Sequence, residues 1–325
     1  MTIHQPVPPS RPTGPGPTEK FIDPVNTASG SPRAVVNFNR LKILWFNAGT
    51  LCNLECTGCY IESSPKNDRL DYLTAAEVAS YLDEIERTGL NTWEIGFTGG
   101  EPFMNPQIIN MMMDCLSRGF EVLVLTNGMR PMMNLNTALL NLRQQHEDRL
   151  TLRVSLDHYT KTRHEELRGP RSWDITVQGL KWLTEQGFQL HVAGRTIWNE
   201  DEATVRMGYA RLFCELGLAI NAHDPVALLL FPEMDEVAPV PEITTSCWSL
   251  RNVDPNALMC ANSRMVVKHK GADRPTVQAC TLLPYDRRFD LGNTLEAACA
   301  GPVALNHPHC AKFCVLGGGA CSARD

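Results

Sequence analysis

Cys52-Asn53-Leu54-Glu55-Cys56-Thr57-Gly58-Cys59-Tyr60 follows closely on the apolar, strand-like run Ile43-Leu44-Trp45-Phe46, and its three thiols stand at C-x3-C-x2-C spacing. Three thiolates this close together supply three irons of a four-iron, four-sulfur cube and leave the fourth iron open to a small molecule. A structural zinc asks for four ligands, and no His or further Cys lies near enough in sequence to complete the set. The bacterial ferredoxin run has a different spacing and a fourth Cys. An open iron points to chemistry rather than to structure.

Outward from this loop, the pattern from Leu41 alternates between apolar strands and amphipathic helices. Strands are expected at 42–47, 93–98, 121–126, 151–156, 189–196 and 227–231, and helices near 75–88, 107–118, 136–147, 176–186 and 202–216. Such alternation predicts an α/β fold with a parallel sheet and right-handed crossovers, curling into a partial (β/α)6 TIM-like barrel. Ligands of such sheets bind at the C-terminal strand ends, and the motifs fall there. The cysteine loop follows the first strand. Thr98-Gly99-Gly100-Glu101-Pro102 ends the second, where paired glycines let the backbone approach a ligand and Glu101 suits an ammonium group. Thr126-Asn127-Gly128 closes the third and reads equally well as an ordinary turn. The fourth carries Arg153-Val154-Ser155-Leu156-Asp157-His158, followed by His164 and Arg168-Gly169.

With an aromatic residue, Tyr60, closing the cysteine run and Gly-Gly-Glu-Pro one strand later, the chain resembles the radical SAM superfamily. The resemblance implies an open iron chelated by the amino and carboxylate groups of S-adenosylmethionine. One electron from the [4Fe-4S] cluster then yields methionine and a 5′-deoxyadenosyl radical, which takes hydrogen from a peptide or small-molecule substrate. An electron donor such as flavodoxin or ferredoxin is the implied partner. By position, the resemblance makes Cys52, Cys56 and Cys59 the metal ligands and Tyr60, Gly99, Gly100, Glu101, Ser155 and Arg168 the cofactor-binding residues. Ser155 would contact ribose or carboxylate, and the fork of Arg168 suits both carboxylate oxygens. Arg195, Thr196 and Asn199 follow the fifth strand, where relatives contact adenine or ribose. Asp157, Glu233, Asp235 and Tyr285 are all candidates to act on the substrate radical, as is a late Cys.

Thiols crowd again from residue 236 onward, at Cys247, Cys260, Cys280, Cys299, Cys310, Cys314 and Cys321. Cys260, then Arg264-Met265-Val266-Val267, Gly271 and Cys280 read as a hairpin with a thiol at either end. This resembles the SPASM and twitch accessory domains of the same superfamily, which implies an auxiliary [4Fe-4S] cluster. The usual C-x2-C-x5-C-x3-C run is replaced by C-x3-C-x6-C. The favoured ligands are Cys260, Cys280, Cys310 and Cys314, with Cys321 or Cys247 as substitutes and Cys299 as core. Two other classes compete: a non-catalytic iron–sulfur electron-transfer or cluster-carrier protein, and a zinc-stabilised module using His307, His309, Cys310 and Cys314. Neither needs the strand-end Gly-Gly-Glu-Pro with Ser155 and Arg168.

At 325 residues and 43% hydrophobic content, the chain is long enough for a large domain with an appendage. A net charge of -6 argues against a general nucleic-acid surface. No apolar run approaches a membrane span, and clustered thiols without a secretory signal point to the cytoplasm. The division expected is a disordered Pro-rich tail over 1–38, a radical SAM core over 39–235, and an auxiliary cluster-binding domain over 236–325. Met111-Met112-Met113, Cys115 and Cys214 read as buried in amphipathic helices.

Overall fold

The computed structural model describes residues 20–233 and 239–317. Strand β1 is Val35–Val36 and β2 is Ile43–Asn47, followed by β3 Glu94–Thr98, β4 Glu121–Thr126, β5 Leu150–Ser155, β6 Gln189–Arg195 and β7 Leu228–Phe231. Strands β2 to β7 pair in parallel with their sequence neighbours, as the alternating pattern requires. Helices α1 Ala75–Thr88, α2 Ile108–Ser117, α3 Arg130–Met133, α4 Asn136–His146, α5 Lys161–Arg168, α6 Ser172–Glu185 and α7 Glu202–Leu216 supply the crossovers. Local sequence sets their ends: Thr74 and Glu77 form a capping box on α1, and Gly89 closes that helix in the left-handed conformation at φ 67°. Helix α5, which delivers Arg168, has no counterpart in the expected helices. Its mean character is polar, and only His164 and Leu167 of its residues are buried, so it lacks a periodic apolar stripe.

The sheet does not stop at six strands. Strand β8, Ser263–Val267, pairs in parallel with β2, and β9, Thr276–Gln278, returns antiparallel to β8. The expected thiol-flanked hairpin is therefore part of the barrel sheet, whose order is β7-β6-β5-β4-β3-β2-β8-β9. The expected division near residue 236 is no break in the sheet. All five residues of β8 are buried, because both of its faces are covered, as in a parallel interior strand.

Apolar residues of the helices and of the outward-facing strand positions make the main core, from Leu44 and Phe46 through Val266. The opposite strand positions point into the barrel, where Trp45 fills the space over Gly96. A Cβ on Gly96 would lie 2.3 Å from the Trp45 ring, so the pair works only with glycine there. Met111 and Met112 are core as expected, but Met113 turns to the surface at 42% exposure. Cys115 is buried and Cys214 is exposed, which corrects the reading of Cys214: it lies on the outward side of α7.

Part of the segment expected as a disordered tail is packed. Residues 1–19 lie outside the described residues, but 20–38 are packed. Phe21, Ala34 and Val36 are buried against Ile243, Leu258, Leu305 and Cys310, and β1 pairs antiparallel with β10, Val303–Ala304. Arg33 is buried with Glu242 at 2.5 Å, while Glu242 also accepts from the backbone N–H groups of Phe21 and Ala28. Three apolar anchors and one buried ion pair outweigh the Pro-rich composition that favours disorder. Among the described residues no helix is long and apolar enough to cross a membrane.

Candidate functional site

The cysteine loop leaves the C-terminal end of β2 and folds over the barrel mouth. Cys52 is buried, and Cys56 and Cys59 are half-buried. All three line one cavity, together with Tyr60, Gly99, Gly100, Ser155 and Arg168. Burial pushes the Cys52 thiol up to about 12 and raises Cys56 as well, so these two thiols, when bare, stay protonated at neutral pH. Metal binding removes that proton outright. Among the described residues no three His, Cys, Asp or Glu side chains converge as a single ion would require. A cubane takes one thiolate at each of several separate irons, so three soft donors spread around one chamber fit it.

Gly99 and Gly100 have a more specific role than approach to a ligand. The Gly100 N–H donates to the Gly49 carbonyl at 2.8 Å and the Glu101 N–H to the Leu51 carbonyl at 3.1 Å. A Cβ on Gly100 would sit 2.1 Å from the Leu51 oxygen, and one on Gly99 2.5 Å from that of Gly49. The paired glycines thus let the end of β3 lie directly against the chain leading into the cysteine loop. The Glu101 carboxylate is buried and accepts from the Thr126 hydroxyl (2.9 Å), the Asn127 N–H (2.8 Å) and the Phe103 N–H (3.2 Å). Burial pushes it up to about 7, against those donors and the charge of Arg168. It braces β3 to the turn after β4, and it is absent from the residues lining the cavity.

That turn is more than a connection. The Asn127 side chain donates to Asn53 Oδ1 at 2.9 Å and approaches Cys52 Sγ at 3.9 Å, and the residue lines the cavity. In the sequence alone the residue is balanced between turn and cofactor roles, since Thr-Asn-Gly is a common turn. Arg168, at the end of α5, meets Asp157 in a two-pronged pair, Nε to Oδ2 at 2.6 Å and Nη2 to Oδ1 at 3.2 Å. Both line the cavity. Asp157 therefore orients the guanidinium, a role the sequence offered no signal for beyond the two residues' presence near one strand end.

Arg153 and Arg195 also line the chamber. Arg195 Nη1 donates to the Gly58 carbonyl of the cysteine loop at 3.3 Å. Thr196 turns to the Phe231 carbonyl, 3.4 Å away, and neither it nor Asn199 lines the chamber. His158 and His164 do not line it either. His158 is tied to Thr160 and Glu200, and His164, pushed down to about 4 by burial, accepts the Asp157 N–H at 3.3 Å. Glu233 is exposed, Asp235 lies outside the described residues, and the Tyr285 hydroxyl donates to the Ile61 carbonyl at 2.7 Å without lining the cavity.

A second, tighter cavity lies in the C-terminal region, lined by Cys260, Cys280, Cys310 and Cys314. The four come from three separate places: helix α8 Met259–Asn262, the chain after β9, and the helical turn Cys310–Val315. Burial pushes Cys260 and Cys310 up to about 12, with Cys280 acting on Cys260 and Cys260 on Cys310. His309 also lines this cavity and His307 does not. Cys247 does not line this cavity, though it packs against the same apolar cluster as Cys310, and its thiol lies 3.6 Å from the Thr244 hydroxyl. Cys299 packs against the main core, and Cys321 lies outside the described residues. Four soft donors around one space fit the donor set of a cubane.

Comparison with known proteins agrees with this geometry. Residues 46–206 match the family model described as the radical SAM superfamily. The Bacillus subtilis antilisterial bacteriocin subtilosin biosynthesis protein AlbA is 32% identical over 144 residues, 44% of this chain and 30% of the relative. The chain thus spans about a third of the length of the curated relatives it matches. Among solved structures, native anSMEcpe with bound AdoMet superposes with a TM-score of 0.59 over 80% of both chains at 13% identity. Streptococcus suis SuiB bound to precursor peptide SuiA gives 0.54 over 78% of this chain and 62% of that one, also at 13% identity. The chain belongs to the radical SAM superfamily, and its C-terminal cysteine-rich region, from Cys247 to Cys314, is consistent with a SPASM/twitch-like domain.

Proposed function

We propose that this chain is an enzyme that reductively cleaves S-adenosylmethionine at a [4Fe-4S] cluster and abstracts hydrogen from a peptide. A second [4Fe-4S] cluster would sit in the C-terminal region. The observation that carries this reading is the single chamber joining three thiols, the Gly99-Gly100 strand end, Ser155 and the Asp157–Arg168 pair. When bound, the cluster and cofactor supply the electron and the 5′-deoxyadenosyl radical. The chain's own work is placement. Cys52, Cys56 and Cys59 would ligate three irons of the first cluster. Gly99 and Gly100 keep the loop against the sheet. Arg168, steadied by Asp157, offers charge-assisted donors to a carboxylate, with Ser155 beside it. Leu125, Phe231 and Leu282 wall the chamber with apolar surface, which keeps water from a reactive intermediate.

A peptide substrate is supported by the relatives whose printed names concern a bacteriocin and a precursor peptide. An electron donor of the flavodoxin or ferredoxin class would reduce the first cluster. Thiols clustered as metal ligands suit a reducing compartment, the cytoplasm. The test is anaerobic incubation of reconstituted protein with reductant and S-adenosylmethionine. Release of 5′-deoxyadenosine is expected even without substrate. None from protein whose first cluster is intact and reducible would defeat the enzyme reading in favour of an electron relay.

A further inference from the structure

Arg264 is the most deeply buried Asp, Glu, Lys or Arg among the described residues. It lies in β8, paired with Leu44 of β2, and is 0% exposed. Its Nε donates to the Ala298 carbonyl at 2.9 Å, and its Nη1 to the carbonyls of Cys260 and Ser263, each at 2.7 Å. The Phe38 ring stacks 4.5 Å from its Cζ. Nη2 has no hydrogen-bond partner among the described residues. A guanidinium keeps its proton in any protein interior, and burying a charge without a counter-charge is costly.

The counter-charge is not a carboxylate. The ionisable groups that act on Arg264 are three thiols, Cys299, Cys260 and Cys280. Cys299 also faces Glu84, whose negative charge opposes ionisation of that thiol. The groups acting on Cys260 are Cys280, whose negative charge would oppose its ionisation, and Arg264, whose charge favours it, and Arg264 also holds the Cys260 carbonyl. Cys260 and Cys280 line the second cavity with Cys310 and Cys314. A buried fixed cation beside protonated thiols leaves a charge unmatched, whereas the same cation beside metal-bound thiolates is matched.

We propose that Arg264 is a positioning residue of the auxiliary thiol site: it supplies the fixed positive charge that thiolate ligands there require, and its grip on the Cys260 carbonyl sets the first ligand. The proposal rests on the second-cluster reading above and goes beyond it, since it names a residue that is not a ligand. Neighbours that steady a ligand in this way typically contribute 10–100-fold in metal affinity. A positive charge near a cluster also stabilises its reduced form, so the residue raises the reduction potential.

The test uses the Cys52, Cys56 and Cys59 to Ala background, in which only auxiliary iron remains. Three proteins are compared after anaerobic reconstitution: this parent, Arg264→Lys and Arg264→Met. The measurements are far-UV circular dichroism, iron release to excess chelator, and midpoint potential by EPR-monitored titration. Arg264→Met is expected to remain folded, to bind its iron about 10–100-fold more weakly, and to show a more negative potential. Arg264→Lys, which retains the charge, is expected to recover most of both. Parent-like iron retention and potential in Arg264→Met would overturn the proposal, as would equal losses in the Lys and Met variants. If Arg264→Met does not fold, Arg264→Lys decides: folded protein that keeps its iron supports the role, and folded protein that loses it overturns it. A parent that binds no iron defeats the second-cluster reading and this proposal with it, an outcome distinct from the others.

Discussion

The loop after β2 delivers Cys52, Cys56 and Cys59 from one short piece of chain, whereas the C-terminal region collects Cys260, Cys280, Cys310 and Cys314 from three separated elements. The first site needs little beyond the pairing of β2 with β3, because Gly99 and Gly100 pin the loop through backbone contacts to Gly49 and Leu51. The second needs the β8–β9 hairpin, the helical turn Cys310–Val315, and the segment from Phe21 to Val36 that covers Cys310. A site encoded locally stands on its own strand end, and a site assembled from distant segments depends on everything that closes it. Both regions bury thiols to about the same effect, pushing Cys52, Cys260 and Cys310 to about 12. They differ in how the chain brings those thiols together.

The largest expected effect separates the two sites completely. Changing Cys52, Cys56 and Cys59 to Ala should abolish release of 5′-deoxyadenosine while the reconstituted protein retains about four irons per chain, one cubane. Iron analysis beside product chromatography checks both halves. Loss of all iron in that variant would show the sites to be interdependent. Zinc, or no metal, at the second site would end the two-cluster reading and leave the first site untouched.

Removing residues 2–36 probes the dependence of the second site. Composition alone predicts no consequence, but the structure predicts loss of auxiliary iron with first-cluster chemistry retained. Arg33→Ala should reproduce much of it, since breaking a buried ion pair typically costs about 3–5 kcal/mol, and Arg33 and Glu242 side chains are 0% and 6% exposed. Burial pushes the Glu242 carboxyl up, but donors from Ala28, Arg33 and Phe21 outweigh it and hold the group below its usual value. Its folded pKa is therefore below its unfolded one. The stabilisation is complete above the ordinary carboxylate range and fades as pH falls through the lowered pKa. Chemical denaturation at neutral and acidic pH, with wild type and Arg33→Ala, should show the difference between them shrinking in acid. A pH-independent difference would remove the ion pair from the account.

The contrast between the regions also accounts for what the sequence disclosed. The barrel strands were legible because each is a short apolar run bounded by turns, and α1 and α7 were legible to the residue because Thr74, Gly89, Asp201 and Gly217 cap them. The cysteine loop was legible because its donors are contiguous. Helix α5 was not, since its few buried residues leave no stripe. Nor was the packing of residues 20–36, where isolated anchors such as Phe21 and Arg33 acquire meaning only beside Glu242 and Leu305. The Asp157–Arg168 pair joins residues whose facing is set by α5, and Asn127 looks like any turn residue until Asn53 is brought against it.

Smaller effects test the first site from within. Arg168→Ala removes a charge-assisted donor from the chamber, and losses of this kind typically amount to about 1.5–3 kcal/mol. Affinity for S-adenosylmethionine, titrated against the reduced cluster, should fall accordingly with the iron retained. Glu101→Ala should also weaken binding, through the Thr126 and Asn127 positions it braces rather than by direct contact. The two are separable: Glu101→Gln keeps one acceptor for Thr126 and should recover part of the loss. Unchanged affinity in both Arg168→Ala and Glu101→Ala would remove this chamber from cofactor binding.

The smallest expected effect sets the baseline for thiols that belong to neither region. Cys115 and Cys214 both lie on helices flanking the sheet, yet Cys115 is fully buried in the core and Cys214 is exposed. Cys115→Ser places a hydroxyl in an apolar setting beside Met111 and Leu116, where an unsatisfied polar group costs about 1–3 kcal/mol. Cys214→Ser should fall within about 0.5 kcal/mol of wild type, as surface changes usually do. In metal-free folded protein, iodoacetamide should label Cys214 readily and Cys115 only after unfolding, because access and thiolate character both govern the reaction. Mass spectrometry of the labelled peptides reads this directly. If Cys214 resists labelling in the folded protein, α7 packs against something on its outer side. If Cys115 labels as fast as Cys214, the helix layer opens, and the burial argument used for both cysteine sites loses its footing.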